Sequence, residues 1–160
     1  MVSEVNIVDE YCKDKYLESV SIIGRIDRLF LETIKLNLEK LNIRDITAAQ
    51  VMIVYNIENQ VVGVGDIKKL GYYKGMNVSY NINSLVKNNY LKQFTNVYDA
   101  RCKFVQLSVK GLELHAKLDE LFTRHVHTFV SAGNSVPHLL QGLTNLENFL
   151  TDLMRREANA

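Results

Sequence analysis

The chain has 160 residues but one proline, two cysteines and no tryptophan, and no apolar run approaches the ~20 residues a membrane span needs. Each shortage excludes something. With a single proline, helices can run long without interruption. Cys12 and Cys102 are too few for a disulfide framework, and no CxxC pair or Cys/His spacing suggests a structural metal, so the chain reads as cytoplasmic and reducing. Met1 to Asp9 lacks a basic stretch leading into an apolar run, which argues against a secretory leader. An excess of one charge is missing too. Lys plus Arg number 19 and Asp plus Glu 18, and a net charge of +1 by itself indicates neither nucleic acid nor a membrane surface. What is present, 47% hydrophobic and 23% charged residues, suffices for the core of one domain or two small lobes.

Four of the eight glycines, Gly63, Gly65, Gly71 and Gly75, share one short stretch, so turns concentrate in mid-chain. Ahead of them Tyr16, Val20, Ile23, Ile26, Phe30, Ile34, Leu38 and Leu41 recur at spacings of three and four, which predicts a long amphipathic helix over Tyr11 to Leu41. Thr47 suits the N-cap of a second helix carrying Val51, Met52, Val54, Tyr55 and Ile57. Asp66 to Leu70 reads as a short third helix closed by Gly71. Met76 to Asn88 reads as a fourth, with Val78, Ile82, Leu85 and Val86 on one side and Asn89 as a left-handed cap.

The helical period is then lost over Tyr90 to Thr95 and Lys103 to Val109. In the second run Val105, Leu107 and Val109 alternate with Phe104, Gln106 and Ser108, so a β-hairpin is predicted with its tip at Asn96 to Ala100. From Gly111 helix returns, with Leu114, Leu118, Leu121, Phe122, His125 and Phe129 along one stripe. It breaks at Ser131 to Ser135 and resumes near Pro137, which a first helical turn tolerates. There Leu139, Leu143, Leu146, Leu150 and Leu153 form an a/d seam. The predicted class is mainly α with a small β-hairpin wing, a winged helix-turn-helix with long first and last helices.

In that fold the fourth helix enters the DNA major groove and the hairpin touches the flanking backbone. Opposite its apolar side lie Tyr80, Asn83, Ser84 and Lys87, with Asn77 and Ser79 beside them. Asn can bond an adenine edge through two hydrogen bonds, Ser several bases, and Lys a guanine or a phosphate. An ordinary solvated helix face has the same composition, but its place before a hairpin favours DNA. Lys92, Arg101 and Lys103 make the hairpin basic, with Asp99 its acid near the tip. Arg101 suits a narrow minor groove or a phosphate, or pairs with Asp99 to stiffen the turn, and the two roles are compatible. Lys68, Lys69 and Lys74 would add backbone contacts. Residues 66–110 hold eight Lys or Arg against two acids, an excess of +6, while the remainder has 11 basic and 16 acidic residues. The net charge of +1 is a cancellation between a basic lobe and an acidic frame.

The run Asp99 to Gly111 resembles the wing signature of the MarR family (multiple antibiotic resistance regulators), an Asp-x-Arg tip followed by a strand and a Leu-Ser/Thr-x-x-Gly entry into the next helix. The likeness reaches residues 11–155 in element order and is motif-specific over about 65–111. Asn89 stands where the family usually has Gly, and both residues adopt the left-handed conformation. Gly71 to Asn81 resembles an alphaproteobacterial subgroup linked to L,D-transpeptidase genes of cell-wall remodelling and to stress tolerance.

The resemblance implies a homodimer in which the first, fifth and sixth helices of two chains intertwine, and a pseudo-palindromic double-stranded DNA operator as partner. Dimerisation helices would occupy 1–44 and 111–160, flanking a DNA-binding lobe at 45–110. The Leu139, Leu143, Leu146, Leu150 and Leu153 seam and the Tyr16 to Leu41 stripe offer more apolar surface than one small winged domain could cover, unless both helices pack within a six-helix monomer. The family often binds phenolic or aromatic effectors between dimer helices and winged lobe, where Tyr16, Arg25 and Tyr55 are candidates. Cys12, near where some family members keep a peroxide-sensing thiol, is a redox candidate, and Cys102 lies between Arg101 and Lys103; both also read as incidental thiols. The expected function is a ligand-responsive transcriptional regulator without cofactor or membrane partner, with a redox-sensing regulator or a helical protein-interaction module as alternatives. No metal is expected from His115, His125, His127 and His138, which form no i, i+4 pair. No nucleophile elbow, phosphate loop or dinucleotide fingerprint points to an enzyme.

Overall fold

A computed structural model of the chain describes residues 3–69, 77–95 and 102–159, with the side chains of 3–8, 68 and 69 outside that description. The elements are α1 (Ser3–Lys40), α2 (Ala48–Ile57), β1 (Val62–Gly63), α3 (Val64–Lys69), α4 (Val78–Lys87), β2 (Leu91–Thr95), β3 (Lys103–Leu107), α5 (Val109–Ser131) and α6 (Val136–Ala158). Two compact units result, Met1–His115 and Ala116–Ala160, divided inside α5.

The core of the first unit is aliphatic. Ile34 and Leu38 from α1, Val51 and Val54 from α2, Ile67 from α3, and Val78, Ile82 and Leu85 from α4 are all buried. The three-residue and four-residue spacings that predicted the helices place these side chains on single faces. The sheet is antiparallel in the order β1-β3-β2, with Leu91 opposite Leu107, Gln93 opposite Val105, and Phe94 opposite Phe104. Leu91, Val105 and Leu107 point into the core.

Three helices close in the same way. After α1, Ile43 N–H donates to the Leu38 carbonyl and Asn42 takes φ 56°. After α4, Tyr90 N–H donates to the Leu85 carbonyl and Asn89 takes φ 64°. After α5, Asn134 N–H donates to the Phe129 carbonyl and Gly133 takes φ 83°. This six-to-one closure satisfies carbonyls that a helix end leaves bare, and Asn or Gly at the left-handed position carries little steric penalty.

The structure corrects several boundaries. α3 begins at Val64, two residues before the predicted start at Asp66, because Val62 and Gly63 pair with Val105 and Phe104 and deliver the chain directly into the helix. That strand, β1, is too short for any alternation to reveal. α4 begins at Val78, since the Asn77 side chain caps it by accepting from Tyr80 N–H at 3.0 Å; Met76 lies outside the described residues. The second hairpin strand ends at Leu107 and α5 begins at Val109 instead of Gly111, because Ser108 caps it: Ser108 Oγ accepts from Gly111 N–H at 3.0 Å and donates to the Asn89 carbonyl. The expected hairpin tip, Asn96 to Ala100, and the helix-closing Gly71 lie outside the described residues. In the second unit Ser135 caps α6 and Pro137 sits in its first turn, as its fixed φ and missing N–H allow.

The Leu-Ser-x-x-Gly run thereby gains a physical explanation. Leu107 fills the core, Ser108 caps α5, and a Cβ on Gly111 would lie 2.2 Å from the Tyr90 carbonyl oxygen. Gly111→Ala is expected to lower stability by about 1–3 kcal/mol or more, since backbone must shift. Gly65→Ala, where an added Cβ meets nothing within 4 Å, should leave stability unchanged or raised; chemical denaturation of both variants compares them.

Candidate nucleic-acid interface

Burial of Val78, Ile82 and Leu85 turns the opposite side of α4 outward. Tyr80 is 66% exposed there, Ser79, Asn83 and Lys87 are exposed, and Ser84 is half-buried. Asn77 is exposed as well, although its side-chain Oδ1 is engaged in the cap. In the hairpin Lys92 and Lys103 are exposed, Lys103 at the far end of β3 opposite Thr95. Asp99, Arg101 and Lys74 lie outside the described residues, as do the side chains of Lys68 and Lys69.

Groups from the α1–α2 joint and the first turn of α2 hold α4 near both its ends. Near the N-terminus, Gln50 is buried and every polar atom of its amide is used. Its Oε1 accepts from Thr47 N–H at 3.0 Å, completing a capping box with Thr47 Oγ1, and its Nε2 donates to Asn81 Oδ1 at 3.1 Å. Asn81 in turn donates to the Asn77 carbonyl at 3.1 Å. At the C-terminus, the cap residue Asn88 donates through Nδ2 to the Asp45 carbonyl.

The Asp45 carboxylate accepts from Tyr90 O–H at 2.7 Å and from Lys110 Nζ, and Lys110 also donates to the Asn88 carbonyl at 3.0 Å. The Lys110 ammonium stands 4.0 Å from the centre of the Tyr90 ring, within cation–π range. Burial opposes the charge on Asp45, but hydrogen bonds from Lys110 and Tyr90 outweigh it and hold the carboxyl below its usual range. Burial, followed by the bond to Asp45, raises the Tyr90 phenol well above its ordinary value.

Neither Gln50 nor the Asp45 cluster was among the residues expected to matter. Thr47-x-x-Gln50 is a readable capping box, so half of the Gln50 role had a sequence signal. Asp45 had none, because its partners lie 43, 45 and 65 residues away.

The other candidates are dispersed. Tyr16 and Arg25 are exposed on α1, and Tyr55 stacks on His115 with ring centres 5.0 Å apart and planes at 12°. An open groove of about 510 Å³ between the end of α1 and the start of α2 is lined by Lys35, Leu38, Glu39, Ile43, Arg44, Ile46, Thr47 and Ala48, and by none of those three. Cys12 and Cys102 are exposed. Among the described residues no His, Cys, Asp and Glu group could hold a metal, and no helix is long and apolar enough to cross a membrane.

This arrangement, a helix with an outward polar face running into a hairpin, defines a winged helix-turn-helix. In fold it matches three solved proteins. These are MepR of S. aureus in complex with DNA (22% identity, 83% of this chain and 96% of that one, TM-score 0.66), FabT of Streptococcus pneumoniae in complex with DNA (22%, 86% and 99%, 0.64), and AbsC of Streptomyces coelicolor, a MarR family transcriptional regulator (17%, 92% and 97%, 0.64). The fold is therefore that of the MarR-type regulators. In sequence, the chain is similar to ExpG of Rhizobium meliloti (strain 1021), a transcriptional activator of exopolysaccharide II synthesis, at 32% identity over 103 residues. That match takes in 64% of this chain and 53% of ExpG, about half of the relative's length. No protein-family model matches the chain.

The two shifted groups predict opposite limbs of a stability profile. The Asp45 contribution is present above the unfolded carboxyl pKa of about 3.9 and is lost as pH falls through the lower folded value; the Tyr90 contribution is present below about pH 10 and is lost as pH rises toward the higher folded value. Melting temperatures across pH 3–11 should show a shallower acid limb in Asp45→Asn and a shallower alkaline limb in Tyr90→Phe.

Proposed function

We propose that the protein is a homodimeric, sequence-specific DNA-binding transcriptional regulator of the MarR type. The observation that carries this reading is the outward face of α4, where Tyr80, Asn83 and Lys87 project from a helix whose other side is locked into the core. Asn83 and Lys87 are base-reading and phosphate-binding types, and Lys92, Lys103 and Arg101 of the hairpin supply charge for the flanking backbone or minor groove. Lys68, Lys69 and Lys74, in and after the glycine-containing stretch of the sequence, would add phosphate contacts.

The dimer reading rests on exposed apolar surface. In the single chain no residue of α6 is buried, and Leu139, Leu143, Leu150 and Leu153 remain 39–46% exposed. Residues 9–30 of α1 are exposed throughout, Val20, Ile23 and Ile26 among them. Patches of this extent mark association sites, and a two-fold partner sets two recognition helices one DNA turn, about 34 Å, apart. A small aromatic or phenolic effector would act by binding the DNA-free and DNA-bound dimers unequally. Genes of cell-wall remodelling and stress tolerance are the targets that the subgroup resemblance suggests.

Selection from random duplexes tests the reading. A pseudo-palindromic sequence should be enriched, with affinity falling steeply as salt rises. Asn83→Ala should cost about 1–3 kcal/mol at one base position, and Arg101→Ala should weaken binding without unfolding the dimer. Failure to enrich any sequence ends the proposal. Replacing Leu143 and Leu150 with Glu should give a monomer by sedimentation, and an intact dimer would place the interface elsewhere.

A further inference from the structure

We infer that Asp45 is a positioning residue for DNA reading, joining the first turn of α5 to the C-terminal end of α4 and so setting the angle at which α4 meets base edges. This deepens the proposed DNA-binding function and rests on it. Four segments meet at Asp45: the α1–α2 joint itself, the α4 cap at Asn88, the bend before β2 at Tyr90, and the start of α5 at Lys110. None of these four is on the outward face of α4, so their effect on DNA is exerted through the helix they hold.

An exposed ion pair on its own contributes little to stability. The Asp45 and Lys110 side chains are 46% and 40% exposed, yet they form more than a pair. The carboxylate accepts from two side chains, and the ammonium also binds the Asn88 carbonyl and covers the Tyr90 ring. Such networks restrict geometry more than isolated bonds do. The surrounding core also buries Leu85, Leu91, Leu107 and Leu114.

The lever arm is short and the tolerance small. From Asn81, held by Gln50, to Asn88, held by the Asp45 main-chain carbonyl and by Lys110, which the Asp45 carboxylate anchors, the helix rises about 10 Å at 1.5 Å per residue. A swing of about 3° over that length moves the free end by roughly 0.5 Å, the accuracy that a recognition geometry requires. The Asn88 bond to the Asp45 main chain survives substitution, but loss of the carboxylate frees Lys110 and Tyr90 and loosens this end of α4, which degrades paired hydrogen bonds to a base edge, while phosphate contacts, which tolerate looser geometry, persist.

The experiment compares affinities of the wild type, Asp45→Ala and Lys110→Met for the selected duplex and for a scrambled duplex at one salt concentration. Both variants should lose tenfold or more on the selected duplex and little on the scrambled one. The double variant should lose no more than the worse single one, because the two residues act as a unit. Simple electrostatics predicts the reverse for Asp45→Ala, since deleting an acid from a lobe facing a polyanion tightens binding to both duplexes. Unchanged or tighter binding of the selected duplex by Asp45→Ala overturns the inference. So does an equal loss on both duplexes by Lys110→Met with a salt slope lower by about one, which would make Lys110 a direct phosphate contact.

If Asp45→Ala melts far below the wild type, Lys110→Met, which keeps the Tyr90 bond to Asp45, decides the matter by the same ratio. Amide exchange without DNA gives a further readout: Asn88 to Tyr90 should exchange faster in both variants, and unchanged protection also counts against the inference. A wild type that enriches no duplex fails the DNA-binding reading itself, whereas enrichment with an indifferent Asp45→Ala fails this inference alone.

Discussion

Gln50 is buried and carries an amide that would cost about 1–3 kcal/mol if left unpaired. Its amide groups can be satisfied because Thr47 turns back to it and because Asn81 of α4 comes within 3.1 Å. One burial thus specifies two things, where α2 begins and how far α4 lies from it. A second fixing five residues earlier, at Asp45, constrains the other end of α4. The stretch from Asp45 to Gln50 acts as a bracket, and the apolar side of α4 presses Val78, Ile82 and Leu85 into the core beneath it.

In the proposed DNA-binding role, charge and geometry would divide the work. Lysines of the lobe are spread over α4 and the hairpin, and an excess of +6 across residues 66–110 attracts a polyanion without ordering any base contact. Discrimination would require orientation, to which the Gln50 and Asn81 amides, the Asn88 cap and the Asp45–Lys110 network all contribute by fixing α4. The acidic remainder of the chain disfavours adhesion through other faces.

Legibility in the sequence followed the range of each interaction. The long helices, the polar face of α4 and the left-handed turn at Asn89 were readable because they depend on spacing within a few residues. Asn77 as a cap was readable less well: its residue type favours both a groove contact and an N-cap, and the Tyr80 N–H claims its side-chain Oδ1. The end of the second hairpin strand was misplaced by two residues because Val109 continues an alternation that Ser108 interrupts by capping α5.

Local physics alone determined which segments coil, where they stop, and which face of α4 is polar, since helical period, capping and left-handed asparagines act over four or five residues. Tertiary structure decided the rest. β1 exists because β3 offers it an edge, Gly111 is required because the Tyr90 carbonyl occupies the space of its Cβ, and Asp45 matters because folding brings Asn88, Tyr90 and Lys110 to it. These contacts join residues 21 to 65 positions apart, a range over which no periodicity or propensity carries information.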